Sequence, residues 1–327
     1  MKLVIAIPHR FPLWDAPTWF GERLRAEFPD LQVVQLSTYE NLEREIADAD
    51  IALCRELKPK QIRAAKKLKW IYSAAAAIHA LMIPEIIHSD IIVTNASAVH
   101  GPVVAEHALA MMLAIGRRID LAVKAQVRHQ WTQEEIWVSR PGPRDIAGST
   151  VVLVGLGQIG TPLVRHAKAL GMRVIAVREH PERGAEGADV VHATRDLLQV
   201  LPQADFVVLC APVTSETQRA FGREQFAAMK PDAYILNVGR GALIDEPALI
   251  EALREHRIGG AALDVTTEEP LPADSPLWDL DNCMITPHTA GISPKLWERQ
   301  YAYFTKNLRR FLAGQPLLGL IDKTKGY

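Results

Sequence analysis

Three residues far apart in the chain, Arg240, Glu269 and His288, form a set that can do chemistry. Each follows a strand-like stretch: Arg240 in Asn237-Val238-Gly239-Arg240-Gly241, Glu269 in Glu268-Glu269-Pro270, His288 in Thr286-Pro287-His288. In an open parallel sheet the carboxyl ends of the strands share one crevice, so such residues can meet there whatever their separation in sequence. Arginine, carboxylate and histidine are what reduction of a 2-keto acid requires. A fixed guanidinium binds the substrate carboxylate and polarises the neighbouring carbonyl. Histidine delivers a proton as hydride arrives, and a carboxylate on its other ring nitrogen fixes the tautomer and favours the imidazolium. Singly, each has an ordinary reading, as an ion-pair arginine, a loop carboxylate and a turn histidine; their joint placement carries the expectation.

A hydride needs a carrier, and Val151-Val152-Leu153-Val154-Gly155-Leu156-Gly157-Gln158-Ile159-Gly160 predicts its site. Four apolar β-formers run into G-x-G-x-x-G, and Leu163, Ala167 and Leu170 continue at helical spacing. Gly155 permits the tight turn, Gly157 clears the approach of a pyrophosphate, and Gly160 lets the helix pack close to the strand. Gln158 and Ile159 lie inside this turn, and Val238, the last residue of a later strand, joins the expected cofactor contacts. Roughly 20 residues past such a turn an acidic residue takes the ribose hydroxyls of NAD. If the second strand ends at Val177, that slot holds Arg178, whose guanidinium suits the 2′-phosphate of NADP. Glu179 is the rival: a shift of one residue restores NAD. The reading favours NADP, with NAD as the alternative.

These residues need a scaffold, and the rest of the chain reads as one. Strands at Leu3–Ile7, Gln32–Leu36, Asp50–Cys54, Trp70–Ser73 and Ile91–Thr94 alternate with amphipathic segments, which predicts a parallel sheet covered on both faces. A long apolar-striped helix over His100–Arg118 has Gly101-Pro102 at its start, where proline is tolerated. A second helical piece reaches about Gln130, and a polar arm, Trp131–Arg144, follows as a lid or a dimer contact. Further strands at Arg173–Val177, Asp205–Cys210, Ala233–Val238, Gly260–Asp264 and Met284–Thr286 make a doubly wound sheet of about six strands. The helix Pro294–Leu312 returns to the first domain.

The fold class expected is α/β, two doubly wound parallel-sheet domains, with a Rossmann NAD(P)-binding domain (99–288) inserted into a flavodoxin-like substrate domain (1–98 plus 289–327). At 327 residues two domains are the natural expectation, and a net charge of −1 leaves no basic footprint for nucleic acid. The apolar runs around Ala74–Ile87 and Ala105–Ile115 are interrupted by His79, Pro84, Glu85 and His107 and read as too short to span a membrane. The N-terminus does not read as a signal peptide. Cys54, Cys210 and Cys283, widely spaced in apolar stretches, read as reduced core residues of a cytoplasmic protein rather than disulfides or a metal set. His79 and His100 could approach a substrate but read more readily as structural or exposed; His107 and His129 read as structural, and Met111-Met112 as core packing.

The chain resembles the D-isomer-specific 2-hydroxyacid dehydrogenases, a family that includes glyoxylate/hydroxypyruvate reductases. The likeness is densest from Gly155 to Gly291: the Gly turn, Asn237-Val238-Gly239-Arg240-Gly241-Ala242-Leu243-Ile244-Asp245-Glu246, Ala262-Leu263-Asp264-Val265, Glu269-Pro270-Leu271-Pro272, Ser275-Pro276-Leu277-Trp278 and Thr286-Pro287-His288-Thr289-Ala290-Gly291. Val104-Ala105-Glu106-His107 also matches. The resemblance implies that Arg240 anchors substrate, Glu269 and His288 form the acid/base pair, Asp264 holds the nicotinamide carboxamide and Pro212 lies on the adenine-side loop. It also implies a homodimer through the nucleotide domain and a small 2-keto or 2-hydroxy acid as substrate. Two departures stand out. Where many members have a Gly-containing loop whose N–H groups take the substrate carboxylate, this chain has Ser73-Ala74-Ala75-Ala76-Ala77-Ile78-His79, so Ala75, Ala76 and Ala77 would serve; and Arg178 fills the acidic slot. The chain ends at Tyr327, which leaves no room for the regulatory domain appended to some phosphoglycerate dehydrogenases. The alternative from another class is an NAD(H)-sensing binding protein resembling the C-terminal binding protein corepressors.

Overall fold

The structure is a computed structural model and describes residues 1–324. The chain divides into two compact units, Met1–His100 with the chain from Ile292 onward, and Gly101–Gly291.

The first unit holds β1 (Lys2–Ala6), β2 (Gln32–Leu36), β3 (Ile51–Cys54), β4 (Trp70–Ser73) and β5 (Ile92–Asn95), all parallel, in the order β2-β1-β3-β4-β5. That is the flavodoxin-like order. Because strand residues alternate between faces, Leu3 and Ile5 point into one core and Val4 and Ala6 into the other. The Leu296–Leu312 helix closes the first of these, with Phe304 stacked on Trp70 at 5.5 Å between ring centroids.

The second unit holds β6 (Thr150–Val154), β7 (Arg173–Arg178), β8 (Val190–Ala193), β9 (Phe206–Leu209), β10 (Tyr234–Asn237), β11 (Gly260–Leu263) and β12 (Cys283–Ile285). Their order is β12-β11-β10-β9-β6-β7-β8, again all parallel. The strand order reverses between β6 and β9, which is where such sheets bind ligands. The sheet has seven strands rather than the expected six, because β8 is absent from the sequence reading. It is a four-residue edge strand, half-buried throughout, and so lacks the apolar run that marks a central strand.

Two other expectations are corrected. The long helix spans Ser97–Gly116, starting three residues earlier than expected, so Pro102 lies inside it rather than at its first turn. Over those 20 residues it is long and apolar enough to cross a membrane by length and composition, contrary to the reading of its apolar run as too short. Its apolar residues Val104, Ala105, Ala108, Met111, Met112 and Ile115 are buried against the second unit's sheet, the position of a core helix. The three cysteines are free and buried, and burial pushes the Cys210 and Cys283 thiols up to about 12.

Candidate active site

The carboxyl ends of the second unit's strands carry the expected residues in spatial order. The Gly turn follows β6 at the switch point, Arg178 ends β7, Pro212 follows β9, Arg240 follows β10, Asp264 and Glu269 follow β11, and His288 follows β12.

The turn has the geometry its glycines predict. Gly155 sits at φ +109°, and a Cβ there would come within 2.8 Å of the Ala211 nitrogen. A Cβ on Gly160 would lie 2.2 Å from the Gly155 carbonyl oxygen, so only glycine lets the Gly160–Ala169 helix start this close to β6. At Gly157 a Cβ would meet nothing within 4 Å, so no protein atom requires glycine there; room for a ligand would. The main-chain N–H groups of Gly157, Gln158 and Ile159 donate to no group among the described residues. With the positive end of the ten-residue helix behind them, these donors fit a pyrophosphate.

Arg178 is the last residue of β7, one further than expected, because its outer side pairs with Ala193 of the unforeseen β8. On the side facing the turn, the ladder stops where expected, with Val154 opposite Val177 and Gly155 N–H donating to the Val177 carbonyl at 2.8 Å. Arg178 is therefore the first side chain past the turn-bearing strand. It is half-buried and donates to the Gly184 carbonyl (3.1 Å), while Glu179 is exposed and lies 3.6 Å from His180.

Two buried polar side chains shape the catalytic end. Asn237, fully buried, donates through Nδ2 to the Arg240 carbonyl (2.9 Å) and accepts from Gly239 N–H (3.1 Å), pinning the loop that carries Arg240. A Cβ on Gly241 would collide with the Thr266 carbonyl at 1.9 Å, so glycine also lets the Arg240 loop rest on the loop leading to Glu269. Arg240 is half-buried. Among the described residues its guanidinium makes one hydrogen bond, from Nη1 to the Gly239 carbonyl (2.6 Å), and has no ion-pair partner. Burial pulls its guanidinium below the usual arginine value, opposed by the charge of Glu269. Starting from so high a value it remains a cation, one whose remaining donors await an anion.

Glu269 uses both carboxylate oxygens: Oε1 accepts from Thr266 N–H (3.1 Å) and Oε2 meets His288 Nδ1 at 2.6 Å. This leaves His288 Nε2 for a substrate, on a side chain that is 53% exposed. His288 has φ +53°, which costs a non-glycine residue about 1–2 kcal/mol. Its turn is held in place by Asp264. That carboxylate, 2% exposed, accepts from the Thr286 hydroxyl (2.6 Å), Thr289 N–H (2.9 Å) and Ala290 N–H (3.1 Å), bracketing His288 on both sides. Since the single Thr286 hydroxyl proton goes to Asp264, His107 Nε2, 2.9 Å from Thr286 Oγ1, is the donor in that contact.

Some expected contacts look different in the structure. Asp264 was expected to face the nicotinamide, yet its buried carboxylate points into the His288 turn. Val238 is buried in the core with its N–H on the Leu209 carbonyl (3.2 Å), so its side chain does not line the edge. In the first unit Ala75 was expected to offer its N–H to substrate, but that group already donates to Ser73 Oγ (3.3 Å). Ala76 and Ala77 N–H groups donate to nothing among the described residues, and none of Ala74–Ala77 has positive φ. His79 is exposed, and His100 lies 6.2 Å from the Trp14 ring. Asn237, Thr286 and Thr266 were missed as supports; their one sequence signal is a polar residue at or just beyond a buried strand end. His107, expected to be structural, supports the His288 turn through Thr286.

Comparison with known proteins shows which family the chain belongs to. Residues 109–290 match the model for the D-isomer specific 2-hydroxyacid dehydrogenase, NAD binding domain. The chain is 35% identical over 297 residues to a D-3-phosphoglycerate dehydrogenase of Methanocaldococcus jannaschii, covering 90% of this chain but only 55% of that one. It is 32% identical over 287 residues to a glyoxylate reductase of Thermofilum pendens, covering 87% and 84%. Among solved structures, an NADPH-dependent glyoxylate/hydroxypyruvate reductase from Sinorhizobium meliloti, in complex with NADP and sulfate, superposes with a TM-score of 0.82 at 26% identity, covering 100% of this chain and 99% of that one.

Proposed function

The chain belongs to the D-isomer specific 2-hydroxyacid dehydrogenase family, NAD(P)-dependent oxidoreductases of small 2-hydroxy and 2-keto acids, and from that premise we propose that it is an NADPH-preferring reductase of glyoxylate or hydroxypyruvate. The observation that carries this reading is the Arg240/Glu269/His288 edge: a cation with no ion-pair partner among the described residues, under the charge of Glu269, and a histidine whose Nδ1 that same carboxylate holds and whose Nε2 bonds no described group. The first unit is the substrate domain and the second the nucleotide domain.

When bound, the reduced nicotinamide supplies the hydride to C2 of the keto acid. Arg240 holds the carboxylate and draws electron density from the carbonyl. His288 Nε2 gives its proton to the carbonyl oxygen, so C=O becomes CH–OH, and Glu269 stabilises the imidazolium beforehand. Ala76 and Ala77 offer N–H groups to the substrate carboxylate. Gly155, Gly157, Gln158, Ile159 and Gly160 would hold the pyrophosphate, Arg178 the 2′-phosphate, and Pro212 and the Val238 backbone would complete the cofactor site.

Initial rates of NADPH and NADH oxidation with glyoxylate, hydroxypyruvate, pyruvate and phenylpyruvate test this reading. Turnover is expected with the first two and faster with NADPH; no turnover with any keto acid would sink it. In the same assay Arg178→Ala is expected to raise the NADPH KM at least 10-fold and leave the NADH KM within about twofold, from loss of a charge-assisted phosphate contact. Equal effects on the two cofactors would remove Arg178 from the phosphate site.

The protein is a cytoplasmic homodimer in this reading. Ile119, Val123 and Val127 on the Ile119–Val127 helix repeat every fourth residue and are all exposed, and Trp131, beyond the end of the helix, is 90% exposed. An apolar stripe of this kind calls for a cover, and a second copy of the nucleotide domain is the occupant proposed. Light scattering is expected to give twice the 36.2 kDa chain mass, and Val127→Glu to give the monomer. A monomeric wild type would end the dimer proposal.

A further inference from the structure

The Ser73–Ile78 loop follows β4 in the first unit, and its peptide orientations are set from behind. Ala74 carbonyl accepts from Gln300 Nε2 (2.6 Å), Ala75 carbonyl from Ala96 N–H (3.3 Å) and Ser73 Oγ (3.2 Å), and Ala76 carbonyl from Asn95 Nδ2 (3.0 Å). A trans peptide points its C=O and the following N–H in opposite directions. Drawing the Ala75 and Ala76 carbonyls inward therefore turns the Ala76 and Ala77 N–H groups outward. Neither of these donates to any group among the described residues. Glycine is not needed for this, since the loop residues keep negative φ.

The anchors are themselves fixed. Gln300, 2% exposed on the Leu296–Leu312 helix, has its amide oriented by the buried Tyr72 hydroxyl, which donates to Oε1 at 2.8 Å. With Oε1 occupied as acceptor, Nε2 must face the Ala74 carbonyl. Asn95, the last residue of β5, accepts from Ser97 N–H through Oδ1 (3.3 Å), which leaves Nδ2 for Ala76.

We infer that Asn95, which holds the Ala76 carbonyl, and Gln300, which with Tyr72 behind it holds the Ala74 carbonyl at the start of the loop, are positioning residues that fix the loop so that it presents the Ala76 and Ala77 N–H groups to the carboxylate of the substrate. Neither touches substrate; each acts through a carbonyl of the loop. The inference rests on the proposed role of this loop in the keto-acid reaction. It accounts for the C-terminal helix in the first unit as more than packing, because that helix brings the amide that turns the Ala74–Ala75 peptide. Asn95 controls the Ala77 N–H directly and has the larger effect. In Asn95→Asp the donor is replaced by a carboxylate that repels the Ala76 carbonyl, so that peptide is free to turn over.

The test is calorimetric binding of oxamate, an unreactive 2-keto acid mimic, to the full chain saturated with NADPH. Steady-state KM and kcat are measured with the best keto acid alongside. Asn95→Asp is expected to weaken oxamate and raise the keto-acid KM at least 10-fold, and Gln300→Met about 3- to 10-fold, each with kcat changed less than threefold and NADPH affinity unchanged. Tyr72→Phe keeps the ring packing and frees only the Gln300 amide. It is expected to follow Gln300→Met more weakly and decides the matter if the other variants do not fold. Oxamate affinities equal to wild type across the set, including no binding by any, overturn the inference, as does a loss of kcat with KM unmoved. The two readings fail separately. Keto-acid turnover with unchanged oxamate affinities removes the positioning role alone, whereas weakened oxamate binding without turnover on any keto acid removes the reductase and keeps the positioning role.

Discussion

Replacing His288 by asparagine is expected to lower kcat by roughly 10²–10⁴-fold while leaving NADPH binding and thermal stability close to wild type. Asparagine is the informative choice because the backbone at this position sits at φ +53°, a region asparagine tolerates better than alanine. The substitution thus keeps the turn and removes the proton donor. The Asp264 carboxylate holds that turn through Thr286, Thr289 and Ala290, none of which depends on the imidazole. Glu269→Gln is expected to fall between wild type and His288→Asn, because an amide still reaches Nδ1 but no longer carries the charge that stabilises an imidazolium. Single-turnover hydride transfer, followed by loss of NADPH absorbance, reads both. Turnover within about threefold of wild type in His288→Asn would remove it as the acid.

Arg240→Lys and Arg240→Ala carry the second large effect. Arg240→Ala is expected to lower kcat/KM for the keto acid by roughly 10³-fold, combining a lost carboxylate anchor with a lost carbonyl-polarising donor, and to leave NADPH affinity unchanged. Arg240→Lys keeps a charge but not the planar fork, so a loss of at least 10-fold is expected there too. A lysine variant with wild-type kcat/KM would show that charge alone suffices and that no second donor reaches the carbonyl. A distinctive companion result concerns stability. Burial disfavours the Arg240 cation and outweighs the opposing charge of Glu269, with no ion-pair contact among the described residues, so Arg240→Met is expected to melt no lower than wild type. A residue that supports the fold would behave in the opposite way.

Much of this site could be read from the chain alone, for definable physical reasons. The Gly155-x-Gly157-x-x-Gly160 turn is local: a strand, a turn and a helix in 20 residues, with steric demands for glycine that the structure then displays at Gly155 and Gly160. The α/β class follows from alternating periodicities, and the placing of Arg240, Glu269 and His288 at strand ends follows from the parallel topology those periodicities imply. What the residues alone could not supply depends on neighbours distant in sequence. The edge strand β8 forms because β7 offers it a partner, and that same pairing extends β7 by one residue to Arg178. Asp264 looked like a cofactor contact, yet three donors from the chain 22 to 26 residues further on draw its carboxylate inward. The peptides of the Ala74–Ala77 loop are set by Ala96 on the Ala75 carbonyl, Asn95 on the Ala76 carbonyl and Gln300, whose amide bonds the Ala74 carbonyl 226 residues away. The sequence determined which groups are present and at which end of which strand; the tertiary structure decided which of their lone pairs and protons are already taken, because hydrogen bonds are satisfied in space rather than along the chain.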